Sequence, residues 1–455
     1  MATLPRPTCL TRPIRCLPVL LFAGLAACGS WGRVGDEPRP RGGETLTQIL
    51  DISSAYRRLG RLTAGAPLPF VASVQFFAGP GDSTVAVVAI SLENRNLQFQ
   101  RDNATFVARY RVQLSALPAA GGAPLRLAKD QVVRVGAFSE TQRNDESVVY
   151  QEGLTLPPGA YTMAVDLTDL GIGTPSHAEG KFTVPAFGPG SYTAPALAYQ
   201  AKGRGSRSAP VAVILNPRGA LAYGGDSAIA YVEGYGLAPG TAVPIRLVDA
   251  KDSVVLDDTL HFEGGREVES QIIRFAPSTV SLGELRLTAG TGDSAHVTRA
   301  LVSFSAGWVV TNFDEMIGLL RYFPPSGALD SLRKARDNDK ALAWQAFYKS
   351  TDPNAATPIN EAIDAYFHRL AIANARYRDE GVQGWRTDRG EVFIRIGDPD
   401  EIYDASPTAT GRTIRWIYTR YNTALYFVDE TGFGRFKLTP GSRSQLEYIA
   451  TREGV

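Results

Sequence analysis

Over the first half of the chain, apolar positions recur with a period of two. Val85, Val87 and Ala89 alternate with Ala86, Val88, Ile90 and Leu92, a strand apolar on nearly both faces. Phe106, Ala108, Tyr110, Val112 and Leu114 alternate with Val107, Arg109, Arg111 and Gln113, a strand with one wet face. Tyr161 to Leu167 follows the turn Leu156-Pro157-Pro158-Gly159, and Lys181 to Pro185 closes the set. Short strands divided by turn residues, with no helical stretch between them, predict an antiparallel β-sandwich over 67–187. Residues 188–208 are rich in Gly, Pro and Ser and read as a linker. The pattern restarts over 209–306, where runs at 211–215, 228–233, 243–248, 253–256, 271–275, 284–288 and 297–304 predict a second sandwich.

From about residue 307 the period changes. Leu332, Ala335, Leu342, Ala346 and Phe347 mark a helix over 329–349, stopped by Thr351-Asp352-Pro353. Thr357 and Pro358 then suit the start of a second helix, whose stripe Ile359, Ile363, Tyr366, Leu370, Ala373, Tyr377 runs to Gly381. Gly384-Trp385-Arg386-Thr387-Asp388-Arg389-Gly390 follows, leading into the alternating run Glu391 to Ile396, expected as a strand that ends in a turn at Gly397-Asp398-Pro399-Asp400. Further strands are expected at 413–419, 424–428 and 435–438. The fold class is mainly β, with two tandem antiparallel sandwiches followed by an α+β domain (307–455) of a helix pair on a small antiparallel sheet.

The N-terminus adds a location. Arg6, Arg12 and Arg15 precede the apolar run Leu17–Ala27, which is too short to span a bilayer and ends in Leu25-Ala26-Ala27-Cys28. This order of cations, apolar run and small-small-Cys looks like a bacterial lipoprotein signal, 1–27, with lipid expected on Cys28. Cys9, Cys16 and Cys28 are the three cysteines, so the processed chain would hold no pair for a disulfide. Gly29 after the cysteine, lacking an acidic retention cue, leans the expected site toward the outer membrane. Residues 28–66 read as a tether with a short helix around Tyr56, docked on the first domain or, with Arg57, Arg58 and Arg61, on a membrane surface. Net charge is +1, which gives no global field for nucleic acid, and none is expected as a partner.

The last third of the chain, about 307–448, resembles the GWxTD-domain proteins. The likeness is carried by Trp344 and Phe347, Thr351-Asp352-Pro353 with Thr357, Asn360-Glu361, Tyr366, Arg369, Asn374 and Tyr377. Gly384-Trp385-x-Thr387-Asp388-Arg389-Gly390 and Gly397-x-Pro399-Asp400-Glu401-Ile402 complete it. The resemblance implies an exported protein, often lipid-anchored, with β-rich regions ahead of the named domain. It implies no settled activity.

Candidate chemistry concentrates in the same region. Asp388 could serve as an acid or base and Arg389 as an anion clamp. The reading preferred here makes them structural: Thr387 and Asp388 satisfy local amides, Arg389 pairs with a carboxylate, and Trp385 fills a gap between helices and sheet. Asp398, Asp400, Glu401 and Asp404 crowd one turn, but the calcium-loop glycine is absent. Glu361, Asp364 and His368 share a helix face expected to be wetted, and no metal or other cofactor is expected. No G-x-S-x-G elbow, zinc helix, P-loop or dinucleotide fingerprint occurs. The expectation is therefore a lipid-anchored envelope protein, not an enzyme, that acts as a structural, scaffolding or binding module with a protein or glycan partner. A carbohydrate-acting enzyme or glycan binder is the first alternative, since two glycosidase carboxylates need no fixed local spacing. A subunit of a secretion or surface-assembly complex is the second.

Overall fold

The structure of the protein is a computed structural model that describes residues 31–34, 52–143, 146, 148–225, 227–305, 310–324, 327–355, 357, 360–379, 382–405 and 411–453. The expected signal peptide, Cys28, Pro358, Ile359 and Gly381 lie outside the described residues. Among the described residues the first elements are β1 (Trp31–Val34) and α1 (Ile52–Arg58). The first sandwich holds β2 (Leu62–Ala64), β3 (Phe70–Ala78), β4 (Thr84–Leu92), β5 (Gln100–Asp102), β6 (Thr105–Pro118) and β7 (Leu125–Val135). One-turn α2 (Phe138–Thr141) precedes β8 (Val148–Leu156), β9 (Gly159–Asp169) and β10 (Pro175–Val184). One sheet runs β2-β3-β4-β8 and the other β10-β9-β6-β5, with β7 on the far edge of β6. Tyr110, Val112, Leu114 and Ala116 of β6 point into the core, while Arg109, Arg111 and Gln113 face water, the one-wet-face strand that the sequence predicts.

The second sandwich comprises β11 (Ser191–Tyr192), β12 (Ala196–Lys202), β13 (Ala212–Leu215), β14 (Ala220–Ala222) and β15 (Ala228–Tyr235). It continues with β16 (Ala242–Val248), β17 (Val254–His261), β18 (Val268–Phe275), β19 (Gly283–Ala289) and β20 (His296–Ser303). The sheets run β11-β15-β12-β13, with β18 on β15, and β14-β20-β19-β16-β17. The stretch 188–208, expected as a linker, is corrected: β11 and β12 lie inside it and pair with β15. Its many small and polar residues hid two short strands, of which β12 buries Ala196, Leu197 and Ala198.

The two sandwiches are fused. Ala86, Val88 and Ile90 of β4 join the first core, while Val87 and Ala89, on its other face, pack with Phe77 against Ala196, Ala198, Val213, Leu215 and Tyr231 of the second sandwich. A strand apolar on both faces is thus a strand between two layers. Gln151 of β8 donates its amide to Val213 O (2.7 Å) and accepts from Leu215 N (3.0 Å), imitating a neighbouring strand along β13. α1 closes one end of this seam, where Tyr56 and Leu59 are buried with Val71, Ala220 and Leu301.

The third domain carries α3 (Phe313–Leu319), α4 (Ala328–Lys334), α5 (Lys340–Ser350), α6 (Glu361–Arg376), α7 (Asp388–Ile396) and α8 (Pro440–Glu453). Its strands are β21 (Glu401–Ala405), β22 (Arg412–Tyr418), β23 (Thr423–Asp429) and β24 (Lys437–Leu438). Three expectations are corrected. The single helix over 329–349 is two, because Ala335 is extended (φ −66°, ψ 130°) and Asp337-Asn338-Asp339 prefers turns to helix interior. The second helix is capped by Asn360, not Thr357: Asn360 Oδ1 accepts from Ile363 N at 3.0 Å. The run Glu391–Ile396 is helix α7, not a strand. Thr387 caps its start, Asp388 and Glu391 sit in its first turn, Arg395 in its last, and Gly397 follows with φ +87°. Those end signals, with burial of Val392, Phe393 and Ile394 together, outweigh the β preference of the apolar run.

The sheet runs β1-β21-β22-β23-β24, antiparallel throughout, so the first described strand completes the last domain. The expected tether is therefore bound to that sheet by four register pairs, Trp31↔Ala405 to Val34↔Ile402. Phe304, just past β20, enters the third core, stacking edge-on to Trp344 at 4.6 Å and Tyr223 at 5.6 Å, which ties the third domain to the second. No helix among the described residues is long and apolar enough to cross a membrane.

Candidate functional site

Residues 384–401 form a three-way junction of α6, a single 3-10 turn at Gly384–Arg386, and α7. Both motif glycines stand where backbones touch. A Cβ on Gly384 would meet Ala373 O at 2.3 Å, and one on Gly390 would meet Gly384 O at 1.9 Å. Thr387, 2% exposed, makes three contacts: its hydroxyl donates toward Gly384 O (2.8 Å) and Tyr377 O (3.0 Å) and accepts from Gly390 N (3.0 Å). It closes the end of α6 and the start of α7 with one side chain.

Trp385 is 3% exposed in the third core. Its Nε1 donates to Gln383 Oε1 at 2.9 Å, and the guanidiniums of Arg321 and Arg386 lie 4.7 and 4.8 Å from the ring centroid. Arg389 donates to Asp379 Oδ1 at 2.7 Å, with both side chains largely buried, and lies 4.5 Å over Phe436. Asp388 is held by its neighbours: Oδ2 accepts from Leu438 N at 2.8 Å, and Arg443 and Lys437 stand 3.3 and 3.5 Å off. The carboxylate thus fastens α7 to β24.

Glu391 accepts from Arg443 at 2.6 Å and from Arg395 at 3.2 Å, and Arg395 reaches Glu447 through both terminal nitrogens (2.9 and 3.1 Å). The hydrogen bond from Arg395 holds the Glu447 carboxyl below its usual range. Arg443 and Glu447 belong to α8, which the sequence reading missed. Pro440 at its first position, with Leu446, Ile449 and Ala450 buried along one face, was the available signal.

The turn after α7 is likewise consumed internally. Gly397 O accepts from Tyr418 OH (3.0 Å), Asp400 Oδ2 from Thr419 N (2.6 Å) and Glu401 from Tyr403 OH (2.8 Å). Pro399 lies half-buried between them. Asp398 pairs with Arg376 at 2.8 Å and Asp404 with Arg412. The four acids point to four separate partners, and no group of three or more ligands converges for a metal among the described residues. Glu361, Asp364 and His368 are half-buried, not fully wetted. Burial, and then the charge of Arg95 from the first sandwich, lowers the His368 pKa. Arg369 is also half-buried, with its pKa lowered by burial and its Nε unbonded among the described residues. Asn374 is buried beneath Gly384.

Residues 292–447 match the GWxTD domain family. The match starts ahead of Phe304, consistent with that ring belonging to the third core. No curated protein matches the chain. Among solved structures, a trypsin-activated alpha-2-macroglobulin from Escherichia coli is 12% identical, with 53% of this chain covered, 18% of that one, and a TM-score of 0.17. The chain thus spans under a fifth of that protein. A tetra-tandem repeat from the extending region of a large adhesion protein is 12% identical, with 52% and 70% covered and a TM-score of 0.13. At these scores neither likeness carries an argument.

Proposed function

We propose, from the premise that the chain is a GWxTD domain-containing protein through residues 292–447, that it is a non-catalytic envelope protein, anchored by lipid on Cys28, that scaffolds or binds. The observation behind this reading is the state of the motif. Thr387, Asp388, Arg389, Glu391, Asp400 and Glu401 each have an intramolecular partner, and the carboxylates are dispersed among arginines and backbone amides. A general acid or base must be free to exchange a proton with its substrate, whereas these groups, exposed Asp400 included, are each held by a partner within the domain. The fused sandwiches and the Phe304 junction make a stiff body suited to holding partners at fixed positions.

The lipid reading also says which domain lies nearest the bilayer. β1 begins three residues after Cys28, a reach of about 10 Å at full extension. The GWxTD domain, whose sheet β1 completes, then sits at the membrane and the sandwiches project from it. An outer-membrane location fits the Gly29 that follows the cysteine.

Fractionation of cells carrying Cys28→Ser tests the anchor. The expected result is release of the variant into the soluble fraction, and retention equal to wild type would overturn lipid anchoring. Turnover of an envelope glycan by the full chain, abolished by Asp388→Ala, would overturn the non-catalytic part.

A further inference from the structure

Between the two sandwiches, beside α1, lies a cleft of about 530 Å³. Arg58, Arg61 and Arg299 line it with His296, and no Asp or Glu lines it among the described residues. Val74, Phe76 and Phe187 supply an apolar wall.

Arg61 is the telling residue. Its Nε donates weakly to Arg218 O at 3.4 Å, and no carboxylate pairs with it among the described residues. Burial depresses its pKa to about 10, with Tyr56 opposing, so the group is charged at neutral pH. A desolvated guanidinium without a counter-ion is unfavourable, and an oxyanion is the ligand whose geometry its forked donors match.

The other cations are available to assist. Arg58 is exposed and donates to Ser54 Oγ at 3.3 Å, with no carboxylate paired to it among the described residues. Arg299 faces Glu284 at 3.5 Å with its side chain 52% exposed, a loose surface pair that an anion can displace. His296 stands edge-on to Tyr192 at 5.3 Å, and burial lowers its pKa, leaving a neutral imidazole with one N–H to offer.

We propose that this cleft binds a small amphiphilic oxyanion, with its phosphate or carboxylate head on Arg61 and a short apolar chain along Val74, Phe76 and Phe187. The inference stands on the seam between the sandwiches and is independent of the motif reading above.

Calorimetric titration of the full chain at low ionic strength tests it with butyl phosphate, hexanoate, inorganic phosphate and neutral 1-hexanol. The expected result is binding of butyl phosphate, hexanoate or both, weakening as salt rises, with 1-hexanol silent. Which of the two binds tighter identifies the head group, and inorganic phosphate isolates the head from the chain. Arg61→Gln is expected to weaken binding about tenfold or more, the scale of one charge-assisted hydrogen bond. Should that variant fail to fold, Arg58→Ala with Arg299→Ala, both at exposed positions, carries the same expectation. The proposal is overturned by no binding of either amphiphile up to about 10 mM. It is overturned equally by hexanol matching hexanoate, or by wild-type affinity in the folded arginine variants.

Discussion

The motif junction and the seam between the sandwiches both bury an arginine against a carboxylate, but they assemble the pair from very different distances along the chain. In the motif, Arg389 meets Asp379 ten residues away, and both sit beside the helix ends that they brace. In the seam, Arg204 meets Glu233, with side chains 3% and 0% exposed, and reaches across the domain boundary to Ala78 O at 2.6 Å. Tyr231 and Tyr235 donate their hydroxyls to Glu233 at 2.8 and 2.7 Å, and Tyr235 OH also accepts from Ala78 N at 2.9 Å. Burial, then the neighbouring Glu233, holds the Tyr235 phenol protonated far above neutral pH. The lesson is that local geometry leaves a signature of glycines and caps, whereas a long-range polar knot leaves only scattered ordinary residues.

The comparison can be broken at its strongest point first. Trp385→Ala should cost about 3–5 kcal/mol, because the ring is buried and its loss leaves a cavity. The effect should be local: denaturation followed by hydrogen exchange would show the third domain opening while β3, β4 and β15 stay protected. A stable variant would make the tryptophan a recognition residue.

Arg204→Met should cost about 3 kcal/mol by leaving Glu233 buried without its cation. Here both sandwiches should loosen together, read as exchange at Ala78 and along β15. Loosening of one sandwich alone would show that Gln151 and the apolar contacts suffice to fuse them.

Thr387→Ala should cost about 1–2 kcal/mol for the lost cap of α7, measured by chemical denaturation. Thr387→Ser should restore most of it, because the hydroxyl alone makes the contacts. Failure of serine to rescue would point to packing of the methyl group instead.

How much of this was legible varies with the range of the forces involved. Many sandwich strands, among them β4, β6, β9, β13 and β15 to β20, are read from alternation and turn residues, whereas β3, β7 and β8 are not. The buried stripe Ile363, Tyr366, Leu370, Ala373, Tyr377 follows from helical spacing. The local contacts of Trp385, Thr387 and Arg389 with Gln383, Gly390 and Asp379 were accessible because they lie within about a dozen residues, whereas Arg321 over Trp385 and Phe436 under Arg389 were not. Reading α7 as a strand came from weighing the alternation Val392–Ile394–Ile396 above the caps at Thr387 and Gly397. The strands inside 188–208 were concealed because β11 and β12 are short and set among Gly, Pro and Ser, although Ala196, Leu197 and Ala198 are buried. That β4 faces a second sandwich on its far side was present in its doubly apolar pattern, but nothing local named the partner.

The pairing of β1 with β21 also has a consequence in time. As the chain emerges N-terminus first, β1 appears early and its partner almost last, with both sandwiches made in between. Closing that loop is the most distant strand pairing among the described residues, and such contacts form late. Until the third domain is complete, Trp31–Val34 has no strand to join. Once β21 is in place the ladder zips shut, so the third domain is complete only when the two ends of the described chain have met.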